Sequence, residues 1–166
     1  MDVVVGPRPG APSPAAPRPA EWWLLTLTGA GAFWSANLVI SLTPVAADYR
    51  AALSIRYVAM LVEAAVGGLL LAGVIALALT RWSVLVPRRG TVAPATLLSL
   101  AALVAVTALV EVPAKLGSGV DDAAHWLLVA TVFNAIRILA LGLSMGLVAR
   151  LHDHRRPAAT APKEGP

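Results

Sequence analysis

The sequence predicts an all-α integral membrane protein, a four-helix bundle with both termini cytoplasmic. Three observations lead there. The 166-residue chain is 58% hydrophobic and only 13% charged, against about 25% charged in typical soluble domains, and its mean hydropathy is +0.75. The apolar excess is gathered in four windows, at 22–42, 57–79, 92–110 and 124–149, each near or above the roughly 20 residues that cross a bilayer core. Finally, Lys and Arg sit at the ends of those windows, as topology signals do. Placing both tails and the second connection in the cytoplasm puts nine basic residues inside and three outside, and leaves Asp48, Glu111, Asp121 and Asp122 on the outer side. A multi-pass protein of the plasma membrane is the localisation these features imply.

In chain order, residues 1–21 are rich in Pro and Ala and are expected to be disordered. The first window is too long for a signal-peptide core of about 7–15 residues, so the "VAA" at 45–47 is not read as a cleavage site. Pro44 closes the first helix, Pro94 falls in the first turn of the third, and Pro113 follows it. "LGSGVDD", residues 116–122, supplies flexible residues and then an acidic cap for the fourth helix. Trp22, Trp23, Trp82 and Trp126 fall near the expected interfaces, where indole rings anchor. Gly142 and Gly146 form a GxxxG step and Gly67, Gly68 and Gly73 thin the second helix. Small residues let helices approach closely, and internal packing is favoured over dimerisation, although a homodimer stays open. Residues 151–166 form a basic cytoplasmic tail expected to be disordered.

Composition excludes several chemistries. There are no cysteines, hence no disulfides, thiolate nucleophiles or iron–sulfur sites. The pI of about 10.3 comes without a basic stripe interleaved with aromatics, so nucleic acid is not an expected partner. No metal site or cofactor is expected. His152 and His154 form at most a weak surface pair, and "GAG" at 29–31 lies in an apolar span, without the strand and helix of a dinucleotide fold.

The chemistry, if any, lies in polar residues inside the spans. Arg137 is near the middle of the fourth helix, and Asn134 is about 4.5 Å nearer the outside at 1.5 Å per residue. Glu63 on the second helix is about 6 Å outward of the midpoint, Asn37 on the first is at a similar level, and Thr107 and then Glu111 follow on the third. Charges at such depth are costly and face the interior, paired, which makes Glu63–Arg137 the natural ion pair. Asn37 and Ser41 share a face, and Arg56 lies two turns before Glu63. His125 falls on the opposite face from Asn134. Two readings stand. In one, Glu63 and Arg137 merely fix packing. In the other, Arg137, Asn134, Glu63 and Glu111 do chemistry in a pocket lined by Asn37, Thr107, Phe133 and Arg56, which binds the polar part of a lipid or other hydrophobic small molecule.

Three segments carry a family resemblance. "FNAIRILALGLS", residues 133–144, resembles the final-helix pattern of small four-helix membrane proteins related to anthrone oxygenases. "VEVPAKL", residues 110–116, resembles the segment after their third helix, and "GAFWSANLVISLTP", residues 31–44, resembles their first helix. The match places Phe133, Asn134 and Arg137 on the family's aromatic–Asn–Arg element. This chain has Ala135 where the family often shows His, and Glu111 where many relatives carry Asn. The resemblance implies oxidation of a membrane-soluble aromatic polyketide, an anthrone, by O₂ without a metal. Glu111 or Glu63 would be the base, and Arg137 with Asn134 would stabilise the oxyanion. The alternatives are a non-enzymatic lipid- or partner-binding membrane protein and a small proton-coupled transporter.

Overall fold

The computed structural model describes residues 19–81 and 92–154. Arg8, Arg18, Trp82, Arg88, Arg89 and the tail beyond His154 lie outside the described residues, as does the side chain of His154. The elements are α1 (Pro19–Ser41), α2 (Pro44–Ala52), α3 (Tyr57–Arg81), α4 (Val92–Val106), a π-turn (Thr107–Glu111), α5 (Val112–Leu116) and α6 (Ala123–His154). Four stretches are long and apolar enough to cross a membrane: Ala20–Ser41, Tyr57–Arg81, Val92–Leu116 and Ala123–His152. The protein is thus an all-α bundle with the build of a multi-pass membrane protein.

Helix ends follow from local chemistry. Pro44 forces Thr43 out of helical geometry, to φ −81° and ψ 147°. The Thr43 hydroxyl then accepts from the Ala46 N–H at 3.2 Å and starts α2. The connection expected between the first two spans therefore holds a nine-residue helix. It ends in a Schellman arrangement, with Ile55 N–H donating to Arg50 C=O at 2.9 Å, Ser54 N–H to Ala51 C=O at 3.2 Å, and Ser54 at φ 53°. Asp122, at φ 56°, accepts from the His125 N–H through Oδ1 at 3.3 Å, which is the acidic cap the sequence suggested.

The third span departs from expectation. Its helix continues past residue 110 to Leu116, through a π-turn in which Val112 N–H bonds Thr107 C=O five residues back. Pro113 explains the turn. Its ring collides with the carbonyl four residues earlier and it donates no hydrogen bond, so the preceding turn widens. One residue is taken up, and everything beyond is rotated by about 100° relative to a regular helix.

α1 packs lengthwise against α3 and α6, and α4 against α6, whereas α3 meets α4 only over a short stretch. The main core joins Leu25 and Phe33 of α1, Ala64, Ala72, Ile75 and Ala76 of α3, and Ile138, Leu141 and Met145 of α6. Glycines set the closest approaches. A Cβ on Gly146 would lie 2.8 Å from Val92 Cα, one on Gly142 would strike Ser99, and one on Gly68 would lie 2.8 Å from the Phe33 ring. The GxxxG step therefore packs inside the bundle. Many large apolar side chains face outward, Val39, Leu70 and Val74 among them, as lipid contact requires. Trp22 is not a free anchor, since its Nε1–H donates to the Gly73 carbonyl at 3.2 Å.

Candidate functional site

A second, smaller core lies at the α2 end, where Ile40, Ala46 and Phe133 pack with Tyr49 and Val129. It fixes the register of α1 against α6. Ile40 sits at Phe133, and a Cβ on Gly29 would lie 2.7 Å from Met145 Sδ. The two helices are antiparallel, with Asn37 opposite the turn that bears Arg137. On α3, Gly68 faces Phe33 and Ala72 faces Gly29, which brings Glu63 and Ala64 to the same level.

A chain of polar contacts crosses this level. Asn134, 7% exposed, donates through Nδ2 to Glu111 Oε1 at 2.9 Å. Its Oδ1 accepts from Arg137 Nη1 at 3.3 Å. Glu111 Oε2 is 3.4 Å from Lys115 Nζ. Lys115 is only 8% exposed, and its ammonium lies 5.1 Å from the Tyr49 ring centroid. The Arg137 guanidinium lies 5.9 Å from the Phe133 ring centroid, within range of a cation–π contact. Tyr49 in turn makes edge contacts with Trp126 and Phe133. Burial pushes the Tyr49 phenol above its usual value of 10.0, while the adjacent Lys115 ammonium pulls it the other way.

Several polar atoms at this level are buried and have no hydrogen-bond partner among the described residues. They are both amide atoms of Asn37, Thr107 Oγ1 and Arg137 Nε. Asn37 is 0% exposed. Nearby Ser41 is satisfied, donating to the Leu38 carbonyl at 2.7 Å and lying 3.3 Å from the Tyr57 hydroxyl.

The structure thus gathers Asn37, Thr107, Glu111, Phe133, Asn134 and Arg137, all singled out by sequence. It corrects two others. Glu63 does not pair with Arg137. It is exposed and makes no hydrogen bond or ion pair among the described residues, because the buried stripe of α3, Ala64–Gly68–Ala72–Ile75, turns it outward. It still contributes a favourable charge interaction to Arg137. Arg56 is also exposed, at the connection preceding α3. The role expected of Asn134 changes too. One of its two amide N–H donors is engaged by Glu111, so it links Glu111 to Arg137, and the amide with neither atom bonded belongs to Asn37. Sequence reading missed Lys115 and Tyr49. The four-residue spacing of Glu111 and Lys115 was the available signal for the first; the second depends on the fold-back of α2.

Chemically, two cations and one carboxylate lie within one contact chain, leaving a net positive charge beside unengaged donors. Among the described residues no group of three His, Cys, Asp or Glu side chains could hold a metal ion. Compared with known proteins, the chain matches no family model, no curated protein and no solved structure.

Proposed function

We propose that this is a multi-pass plasma-membrane protein with both termini cytoplasmic, and that it binds the oxygen-bearing end of a membrane-soluble aromatic between α1, α6 and the π-turn. The chemistry is that implied by the resemblance to anthrone oxygenases. The observation that carries the reading is Asn37, wholly buried with neither amide atom bonded, level with the unbonded Nε of Arg137 and Oγ1 of Thr107. Each unsatisfied buried group costs about 1–3 kcal/mol, and a ligand with a carbonyl or hydroxyl would satisfy several together.

Glu111 is the base in this scheme. Lys115 lies beside its carboxylate at 3.4 Å, and Asn134 orients it. Glu111 takes a proton from the activated ring carbon, and the charge delocalises onto the ring oxygen, where Arg137 and Asn37 donate to it. The carbanion reduces O₂ and forms a C–O bond, giving a hydroperoxide after proton return. Loss of water then leaves the new carbonyl, so one O₂ is consumed and one water released per ring oxidised.

The test is O₂ uptake by the protein in nanodiscs with anthrone as substrate. Uptake should exceed spontaneous oxidation and fall roughly 10²-fold in Arg137→Leu. A second reading, non-enzymatic lipid binding, draws support from the satisfied chain Lys115–Glu111–Asn134–Arg137. Uptake no faster than background, with Arg137-dependent retention of a lipophilic ligand, would decide for it.

A further inference from the structure

On one side of the bundle the helices are only loosely joined. α3 runs along α1 but touches α4 only briefly and does not pack along the π-turn or α5. Glu63, Gly67 and Leu71 follow one another at four-residue steps and so form one row on α3. Leu71 ends the row by packing on the core. A Cβ on Gly67 would meet nothing within 4 Å, although one on neighbouring Gly68 would be 2.8 Å from the Phe33 ring. Space is therefore open beside Gly67 while the adjacent face is closed. Glu63, exposed at the other end of the row, is near enough to Arg137 to influence it electrostatically. A carboxylate within a membrane span normally borders the interior or a watery cavity, so this row is assigned to the side of α3 that faces the seam.

We propose that the seam between α3 and the π-turn is a lateral entrance from the bilayer, and that its ligand is an amphiphile with a single ionisable oxygen head: a phenol, enol or carboxylic acid. This rests on the reading of Asn37, Thr107 and Arg137 as a binding site. The charge count sets the class. Lys115 is taken up by Glu111 and Tyr49, so Arg137 alone is left to balance a ligand, and it balances one negative charge. A doubly charged phosphate would bring a second charge with no cation to meet it. The Asn37 amide presents both a donor and an acceptor, which suits a hydroxyl or carbonyl. Glu63 at the mouth repels anions, so the neutral, protonated form enters and the charged form is stabilised only beside Arg137.

Because the chain has no cysteine, Gly67→Cys can be blocked after folding with a bulky maleimide. The probe is cis-parinaric acid in nanodiscs, followed by stopped-flow energy transfer from tryptophan. Unlabelled Gly67→Cys should bind at the native rate, and labelling should slow association about tenfold or more. Oleic acid should displace the probe better than phosphatidic acid. An association rate unchanged by labelling, with binding still lost in Arg137→Leu, would overturn the entrance and leave the site standing. Binding unaffected by Arg137→Leu would overturn the site itself. Preferential displacement by phosphatidic acid would overturn the assignment of a singly charged head.

Discussion

Replacing Asn37 with leucine should separate stability from binding. Asn37 is wholly enclosed and its Oδ1 and Nδ2 lack partners. Leucine has similar branching and needs no hydrogen bond, so the substitution removes two unsatisfied groups without opening a cavity. Each such group costs about 1–3 kcal/mol in a protein interior. Within membranes the unfolded chain also finds partners, and interhelical hydrogen bonds average about 0.6 kcal/mol, which favours the lower end. A gain of about 2 kcal/mol follows, or roughly 4–8 °C in midpoint for a chain of this size. The assay is thermal unfolding of ligand-stripped protein in a mild detergent, paired with titration of cis-parinaric acid. Asn37→Leu should melt higher and bind at least about tenfold more weakly. A lower midpoint with undiminished binding would refute the reasoning. It would mean that Asn37 is satisfied by a structural water and that its burial has nothing to do with a ligand.

Three other outcomes are expected. Gly146→Ala should destabilise by about 1–3 kcal/mol, since the new methyl meets the Val92 backbone at 2.8 Å, whereas Gly31→Ala, with nothing within 4 Å, should be neutral or slightly stabilising; unfolding midpoints of the two variants check the contrast. Ser54→Gly should stabilise by about 1 kcal/mol in the same assay, because Ser54 holds φ 53° at the end of α2. Since burial raises the Tyr49 phenol above 10.0, the folded state keeps that proton longer than the unfolded state. Stability from this group is complete below pH 10 and lost as pH rises through the raised value; a loss of stability above pH 10 that is smaller in Tyr49→Phe would show it.

The spans were legible because four long apolar windows leave little choice of fold, and the helix rise alone put Asn37, Glu63 and Thr107 near the level of Arg137. Three features escaped. The orientation of Glu63 depends on which face of α3 is buried, and the small residues Ala64, Gly68 and Ala72 decide that face. Alanine and glycine are less apolar than the neighbouring valines and leucines, so a hydropathy pattern does not mark the small-residue stripe as the buried face. The partner of Glu111 depends on the π-turn, which shifts every residue after it by one position. Pro113 signalled a disturbance in the helix, but the proline alone does not tell a helix end from a widened turn. Tyr49 reaches the site only because α2 folds back, a tertiary event in a segment of low hydropathy.

The glycine contacts bear on how the molecule moves. α4 is clasped to α6 near Val92–Gly146 and Ser99–Gly142, at the end remote from α2. Toward α2 that backbone contact gives way to the polar bridge from Glu111 to Asn134. The pair is built like tweezers, pinned at one end and sprung at the other. Thermal opening should therefore grow along the length of the helices. Amide exchange should be slowest around Ser99 and Gly142 and quicken steadily toward the π-turn, where the two helices have least backbone contact to hold them.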